Sequence, residues 1–303
     1  VCRHDVRLVA LGVSQTRKLG IFDVLTDRFF RLHNDLCEAL RALCSYFPED
    51  THRSYAANGT YPEEFIGALA TGGWFVAMFL FGYEGSGLDL TEASIVREQI
   101  NRLGGKAGYC HGQMYNMELY CAKALMGRNG NTAENALGDP RLQSMAVTEL
   151  STGTYTTKRK TVAKRGDCYV VNDQKVWISR IKHSDLMILL ARTLQLAEVK
   201  IHINGMSVSL VDLKQAIGNG MNIRQIKLMI GHQTYEVFFE DFEPGQNRIV
   251  EEGVGFRYIL DGLNAERALI AVACTGDGHW LLECARNYAG ERVVFDRFIG
   301  QNQ

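Results

Sequence analysis

The chain has 303 residues, of which 46% are hydrophobic and 22% are charged, so it is long enough to bury a large core in two domains or one elongated one. A formal net charge of −1 provides no broad basic field that would attract nucleic acid or an anionic membrane. Eight cysteines without a C-x-x-C pair argue against a zinc site, and no apolar run approaches the roughly 20 residues of a membrane span. We therefore expect a globular protein with no nucleic-acid partner, no metal site and no membrane span.

The first residues of the chain contain more basic than acidic side chains and no secretory apolar core. This composition has a weak likeness to a transit peptide. We predict an N-terminal extension over residues 1–24. Its basic residues are Arg3, Arg7, Arg17 and Lys18.

Helical spacing of the apolar residues begins near Leu25. Thr26 and Pro62 are typical of helix starts, because a threonine hydroxyl caps free backbone amides and a proline fits the first turn. We predict a helical domain over residues 25–140. The periodic residues are Phe29, Leu32, Leu36, Leu40 and Leu43, followed by Phe65, Ile66, Leu69 and Trp74.

Near Arg141 the period of the apolar residues changes from about four to two, which is typical of β-strands. The pair Asn172 and Asp173, between two β-rich runs, predicts a tight hairpin turn. We predict a central β-domain over residues 141–250. Its predicted strands cover residues 143–149, 168–179, 186–191, 206–211 and 235–242.

Helical spacing returns from Gly255 to about Gly290, without a proline. We predict one long helix there, as the start of a C-terminal helical domain over residues 251–303. The residues expected to form its buried stripe are Ile259, Leu263, Ile270, Cys274 and Leu281.

Four local motifs follow one another along the chain. They are a strand that enters a loop of small and hydroxyl residues, a strand with Trp177 and Ser179 on one face, an alternating strand before an acidic glycine loop, and a charged helix segment. Read singly, they describe an ordinary turn, a core tryptophan, an edge strand and a solvated helix face. Their order and spacing are more specific than any one of them. They occupy residues 145–154, 172–179, 236–256 and 263–295.

Together the four motifs resemble the acyl-CoA dehydrogenases from about Leu25 to Gln303. The motifs are most similar to those of the isovaleryl-type branch and of related bacterial enzymes in which a helix carries Asn-Ala-Glu-Arg. The resemblance implies an α+β fold with N-terminal helices, a central β-barrel and a C-terminal four-helix bundle. FAD would bind between barrel and bundle. Because the family continues for several helices past the position of Gln303, we expect a truncated member with the first bundle helix and the start of the next.

The resemblance also implies which residues contact the cofactor and the substrate. Val147, Thr148 and Thr154 match a loop that faces the flavin ring and the thioester. Trp177 matches an indole beside the flavin, and Ser179 matches a hydroxyl that bonds the hydride-accepting nitrogen. The residues that match contacts with the FAD of a neighbouring subunit are Arg292, Phe295 and Gln303.

The reaction of this family removes the α-proton of an acyl thioester as the β-hydride passes to the flavin. A carboxylate serves as the base when apolar surroundings raise its affinity for a proton. Family members place this carboxylate either on a late loop or on the long helix just before an arginine. Glu266 precedes Arg267 and matches the second arrangement, with Leu263, Asn264 and Arg267 as substrate-side neighbours.

The resemblance implies an acyl-CoA substrate, an electron-transfer flavoprotein as electron acceptor, and a homo-oligomer, either tetramer or dimer. The expected location is the cytoplasm, with the mitochondrial matrix as alternative. Two other functions stay open. Leu150 and Tyr155, which stand where the family usually has proline and aspartate, favour a non-catalytic binding or assembly subunit or a degenerate fragment. An acyl-CoA oxidase-type enzyme would instead use oxygen directly.

Overall fold

Four helices form the first part of the computed structural model, which describes residues 21–78, 86–109, 143–153, 162–165, 168–228, 232–244 and 251–302. Helix α1 begins four residues before the predicted helical domain. The carboxylate of Asp89 caps α4 by accepting a 2.6 Å hydrogen bond from the Thr91 amide, while Glu92 accepts from the Asp89 amide. The helices are α1 (Ile21–Cys44), α2 (Glu49–Asn58), α3 (Glu63–Thr71) and α4 (Leu90–Arg102).

The helices pack around one apolar cluster. Leu40 of α1, Phe65 of α3 and Ile100 of α4 are almost completely buried in it. Leu269, from the last long helix of the chain, is buried in the same cluster. The helical unit, formed by α1 to α4, therefore acquires part of its core from a segment about 170 residues beyond α4 in sequence.

Seven strands form one sheet in the order β1, β4, β2, β3, β7, β6, with β5 pairing β4. The sequence predicted five of them, and β2 and β6 were missed. Strand β4 is buried on both faces, because Met187 and Leu189 enter one apolar cluster while Ile188 and Leu190 enter another. The strands are β1 (Gln143–Ala146), β2 (Val162–Arg165), β3 (Tyr169–Ser179), β4 (Leu186–Arg192), β5 (Met206–Asp212), β6 (Met221–Ile226) and β7 (Thr234–Phe242).

The predicted hairpin turn at Asn172 and Asp173 is wrong, because both residues lie inside the continuous strand β3. The irregularity is a bulge in the neighbouring strand β7, where two residues lie opposite the single residue Asn172 of β3. Asp241, one of the two, has a φ of 46°. The Asn172 side chain donates to the Asp241 carboxylate and accepts from the Asp241 amide, each at 2.8 Å. An asparagine that reads as a turn residue thus stabilises a bulge in the adjacent strand.

A short helix, α5 (Leu213–Ala216), follows β5, and the long helix α6 (Gly255–Glu291) follows the sheet. The predicted limits of α6 are confirmed within one residue at each end. Its first turns bury Phe256 and Ile259 against the sheet, and its middle turns bury Leu269, Ala273 and Gly276 on the helical unit. No helix in the described part of the chain is long and apolar enough to cross a membrane.

The predicted buried stripe of α6 is wrong in its second half. Ile259 is buried and Leu263 is half-buried, but Ile270, Cys274 and Leu281 are exposed. Helix α4 contacts the small residues of α6 instead, because only a small side chain permits a close helix crossing. The domain limits at residues 24, 140 and 250 stay predictions.

Direct contacts connect the helical unit to the sheet. The Gln233 side chain donates to the Gly59 carbonyl at 2.8 Å, and the Arg180 guanidinium donates to the Tyr109 carbonyl. The rings of Tyr61 and His183 stack with centroids 4.5 Å apart. The interface between the two units is therefore polar and aromatic, with specific hydrogen bonds across it.

The crossing of α4 and α6 leads to a stability prediction. A Cβ at Gly276 would lie closer than 3.0 Å to the Glu98 carbonyl oxygen, whereas a Cβ at Gly278 meets nothing within 4 Å. We expect Gly276→Ala to lower the free energy of unfolding by about 1–3 kcal/mol, because the helices must separate. Gly278→Ala should raise it by about 0.5–1 kcal/mol, because alanine favours the helix. Urea unfolding measures both, and equal effects would contradict the close crossing.

The buried imidazole of His52 leads to a prediction about pH. Burial, and next the charge of Lys106, lower the pKa of His52 from its ordinary 6.5. The unfolded chain therefore binds a proton more readily than the folded one, and stability falls as pH drops through about 6.5. We expect His52→Phe to reduce the difference between urea midpoints at about pH 7.5 and about pH 5.5. An unchanged difference would show that other groups, such as His232, dominate the acid response.

Candidate functional site

The loop after β1 is attached to the side of strand β3. The Thr148 carbonyl accepts a 3.0 Å hydrogen bond from the Val176 amide, and the Val147 carbonyl accepts from the Lys175 ammonium at 3.4 Å. Val147 and Thr148 are both half-buried. Two of the predicted flavin contacts are therefore held beside the strand that carries two more, Trp177 and Ser179.

Trp177 occupies a strained backbone position in β3. Its φ is 63°, in the left-handed region that non-glycine residues seldom adopt, and the register with β7 is irregular between Lys175 and Ile178. The indole is 55% exposed, while Ile178 beside it is buried in the core of the sheet. The bulge thus presents a large aromatic side chain at the surface, and such strain is concentrated at functional sites.

A buried ion pair lies under the loop. The Lys175 ammonium is 2.8 Å from the Glu149 carboxylate, and their side chains are 0% and 3% exposed. Thr152 donates to the other carboxylate oxygen at 3.1 Å. Burial lowers the pKa of nearby Arg192, and the charge of Glu149 opposes that shift. Glu149 therefore joins the loop after β1 to strand β3 through charges that water does not screen.

The hydroxyl of Ser179 has a partner that the sequence did not reveal. Its Oγ lies 2.8 Å from Nε2 of His232, which is 53 residues away in sequence. Burial, and next the positive charge of Arg180, lower the pKa of His232. The imidazole is thus neutral near pH 7, with one ring nitrogen as donor and the other as acceptor.

Helix α6 carries the charged segment that contains the predicted base. Leu263 packs against the apolar cluster that Val147 also contacts. Glu266 is half-buried. It follows Leu263 by three residues, so the two side chains lie on the same face of the helix, about one turn apart. Asn264 and Arg267 are exposed. Helix α6 and the loop after β1 therefore share one apolar cluster through Leu263 and Val147, and Glu266 as the base stays a prediction.

Arg292 and Phe295 lie at the other end of α6. About 26 helical residues separate Glu266 from Arg292, a distance of roughly 40 Å. Phe295 is 88% exposed at the tip of a hairpin formed by β8 (Val293–Val294) and β9 (Arg297–Phe298). Within one copy of the chain, these residues do not join the Glu266 region. Thr154 and Gln303 lie outside the described residues.

Sequence reasoning missed Glu149, Lys175 and His232. A weak indication of the ion pair was present in the sequence, since Glu149 and Lys175 lie inside two of the motifs. Nothing in the sequence indicated His232. A cleft of about 670 Å³ lies elsewhere, between α3 and the segment that follows β3, and no predicted site residue lines it. Its walls include Tyr61, His183 and Lys214.

The residues around Trp177 fit one side of a flavin ring. An exposed indole offers an aromatic edge or face, Val147 offers apolar contact, and Thr148 and Ser179 offer hydroxyls beside it. A flat ring with polar atoms on its rim requires this combination of apolar surface and hydrogen-bonding groups.

The buried ion pair provides a stability prediction with a matched control. Lys175→Met leaves the Glu149 carboxylate buried without its nearest cation, and should lower the free energy of unfolding by about 3 kcal/mol. Lys214 is also 2.8 Å from a carboxylate, that of Asp185, but its side chain is 81% exposed. Lys214→Met should cost about 1 kcal/mol or less. Thermal or urea unfolding compares them, and similar losses would contradict a special role for burial.

Comparison with known proteins identifies the family. Sequence models described as the N-terminal, middle and C-terminal domains of acyl-CoA dehydrogenase match residues 32–133, 144–242 and 253–303. A probable acyl-CoA dehydrogenase of Escherichia coli, YdiO, is 29% identical over 269 residues, covering 85% of this chain and 67% of that protein. Mitochondrial isovaleryl-CoA dehydrogenase of Pongo abelii is 32% identical over 230 residues, which cover 73% of this chain but only 53% of that protein.

A solved structure agrees with these relatives. The probable acyl-CoA dehydrogenase of Mycobacterium abscessus superimposes with a TM-score of 0.76 and 26% identity, covering 89% of this chain and 72% of that one. The predicted class, helices then a central β-domain then a C-terminal helix, is confirmed by this likeness. The chain belongs to the acyl-CoA dehydrogenase family of flavoprotein oxidoreductases.

Proposed function

We propose that this chain is the FAD-binding and base-carrying part of an acyl-CoA dehydrogenase, with Glu266 as the catalytic base. The observation that carries the proposal is the position of Glu266 on α6. One turn before it, Leu263 packs against the cluster that Val147 of the loop after β1 also contacts. We propose that this carboxylate and the surface around Trp177 belong to one site.

The proposed reaction is α,β-dehydrogenation of an acyl-CoA thioester. Bound FAD would accept the hydride that leaves the β-carbon. The Glu266 carboxylate removes the α-proton, and its half-buried position on a rigid helix keeps it oriented toward one side of the substrate. Leu263, Asn264 and Arg267 on the same helix, with Thr154 of the loop, are the proposed substrate-side contacts.

The FAD contacts are proposed for two groups of residues. Val147, Thr148, Trp177 and Ser179 would contact the ring from the sheet side, where an aromatic surface stands beside hydroxyls. Arg292, Phe295 and Gln303 would contact the FAD of a neighbouring copy. The length of α6 supports this division, because it separates Arg292 from Glu266 by roughly 40 Å.

The remaining assignments follow from the family. We propose an electron-transfer flavoprotein as electron acceptor and a homo-oligomer, tetramer or dimer, as the working assembly. The Escherichia coli relative favours the cytoplasm as the location.

The test is an absorbance scan of the purified chain after incubation with FAD and desalting. We expect retained flavin bands that an acyl-CoA bleaches, because substrate oxidation reduces the flavin. Glu266→Gln should retain the bands but bleach about 100-fold to 10,000-fold more slowly, the usual contribution of a general base. Glu283→Gln is the matched control, since Glu283 is an exposed glutamate on the same helix, and it should bleach like the unaltered chain.

Two outcomes would contradict the proposal. Bleaching of the Glu266→Gln variant at the unaltered rate would remove Glu266 as the base. A colourless protein would favour the non-catalytic binding subunit, for which exposed Leu150 in the loop after β1 is the supporting observation.

A further inference from the structure

The described part of the chain holds one side-chain pair at the proposed flavin surface that the reaction as described does not use. Ser179 ends strand β3, and His232 precedes strand β7, which pairs with β3 up to Ser179 opposite Thr234. The 2.8 Å separation between Ser179 Oγ and His232 Nε2 is that of a good hydrogen bond.

Hydrogen bonds fix the residues that follow Ser179 and His232 in the chain. The Arg180 amide donates to the Gln233 carbonyl at 3.0 Å, immediately after His232. The Gln233 side chain contacts His183 Nε2 and the Tyr235 hydroxyl, each at 2.8 Å, and donates to the Gly59 carbonyl. The backbone on both sides of the pair is therefore fixed by hydrogen bonds, so its geometry is built into the fold.

A serine hydroxyl has one proton to donate, and its neighbour decides where that proton points. If the proton of His232 were on Nδ1, Nε2 would accept the Ser179 proton and leave the hydroxyl with none for another acceptor. If the proton is on Nε2, His232 donates to Ser179 Oγ, and the hydroxyl proton is available to an acceptor on its other side. Donation into Oγ also strengthens the bond that the hydroxyl then makes.

We propose that His232 is a positioning residue that carries its proton on Nε2, donates it to Ser179 Oγ, and so directs the Ser179 hydroxyl proton toward a ring-nitrogen acceptor of FAD. This inference rests on the proposed function, which places the flavin next to Ser179. His232 itself acts through Ser179 and needs no contact with the cofactor. Burial, and next the positive charge of the buried Arg180, lower the pKa of His232 and so disfavour a second proton on the ring.

The first test is a double-mutant cycle on FAD affinity, measured by quenching of flavin fluorescence. Ser179→Ala removes the hydroxyl and should raise the FAD dissociation constant about five- to tenfold, the effect of one hydrogen bond. His232→Phe keeps a ring of similar size and should weaken binding by a similar factor. The double variant should be no weaker than Ser179→Ala alone, because His232 acts only through the hydroxyl.

Two further variants separate positioning from a merely structural effect. His232→Gln offers an amide donor near the position of Nε2 and should restore most of the affinity lost in His232→Phe. His202→Ala, at an exposed histidine on the turn before β5, should change nothing. Additive losses in the cycle, or a glutamine variant as weak as the phenylalanine variant, would overturn the inference.

The second test uses the flavin-free chain. Long-range proton–nitrogen NMR spectra of the His232 ring should show the Nε2–H tautomer, and Ser179→Ala should shift its ring signals. An Nδ1–H tautomer would overturn the inference even if FAD binds. An unaltered chain that binds no FAD would overturn the proposed function, and the inference with it, whereas normal binding with an additive cycle would overturn the inference alone.

Discussion

Helix α6 packs on two different surfaces, and most of the molecule depends on both contacts being made at once. Phe256 and Ile259 bury its first turns against β4 and β5, while Ala273 and Gly276 bury its middle turns against α4. An α-helix cannot stretch, so the two contacts fix the distance between the sheet and the helical unit. Glu266 lies between them. Its position is thus determined by packing on either side and not by a flexible loop.

The order of elements could be predicted from the sequence because its cause is local. The change of apolar period near Arg141 marks the beginning of the strands, and the absence of proline from Gly255 onward marks α6. Strand β6 was missed although apolar and polar residues alternate from Met221 to Arg224; it lies at an edge of the sheet with several exposed side chains. The Asn172 turn failed because a strong local preference was overridden by pairing with β7.

The candidate site could be predicted only where a motif carried it. Trp177 and Ser179 belong to one motif and Glu266 to another, so the resemblance to the family predicted their roles. The hydrogen bond between Ser179 and His232 joins residues 53 apart in sequence, and no local pattern encodes it.

Three contacts between the helical unit and the sheet affect how the protein unfolds. They join Gln233 to Gly59, Arg180 to Tyr109, and the ring of Tyr61 to that of His183. Unfolding the helical unit alone would remove hydrogen-bond partners from the sheet. It would also expose Leu269, which is buried in the core of that unit. Each unit therefore stabilises the other. Unfolding of one unit is coupled to unfolding of the other, so the two units unfold as a single cooperative structure and not as independent domains.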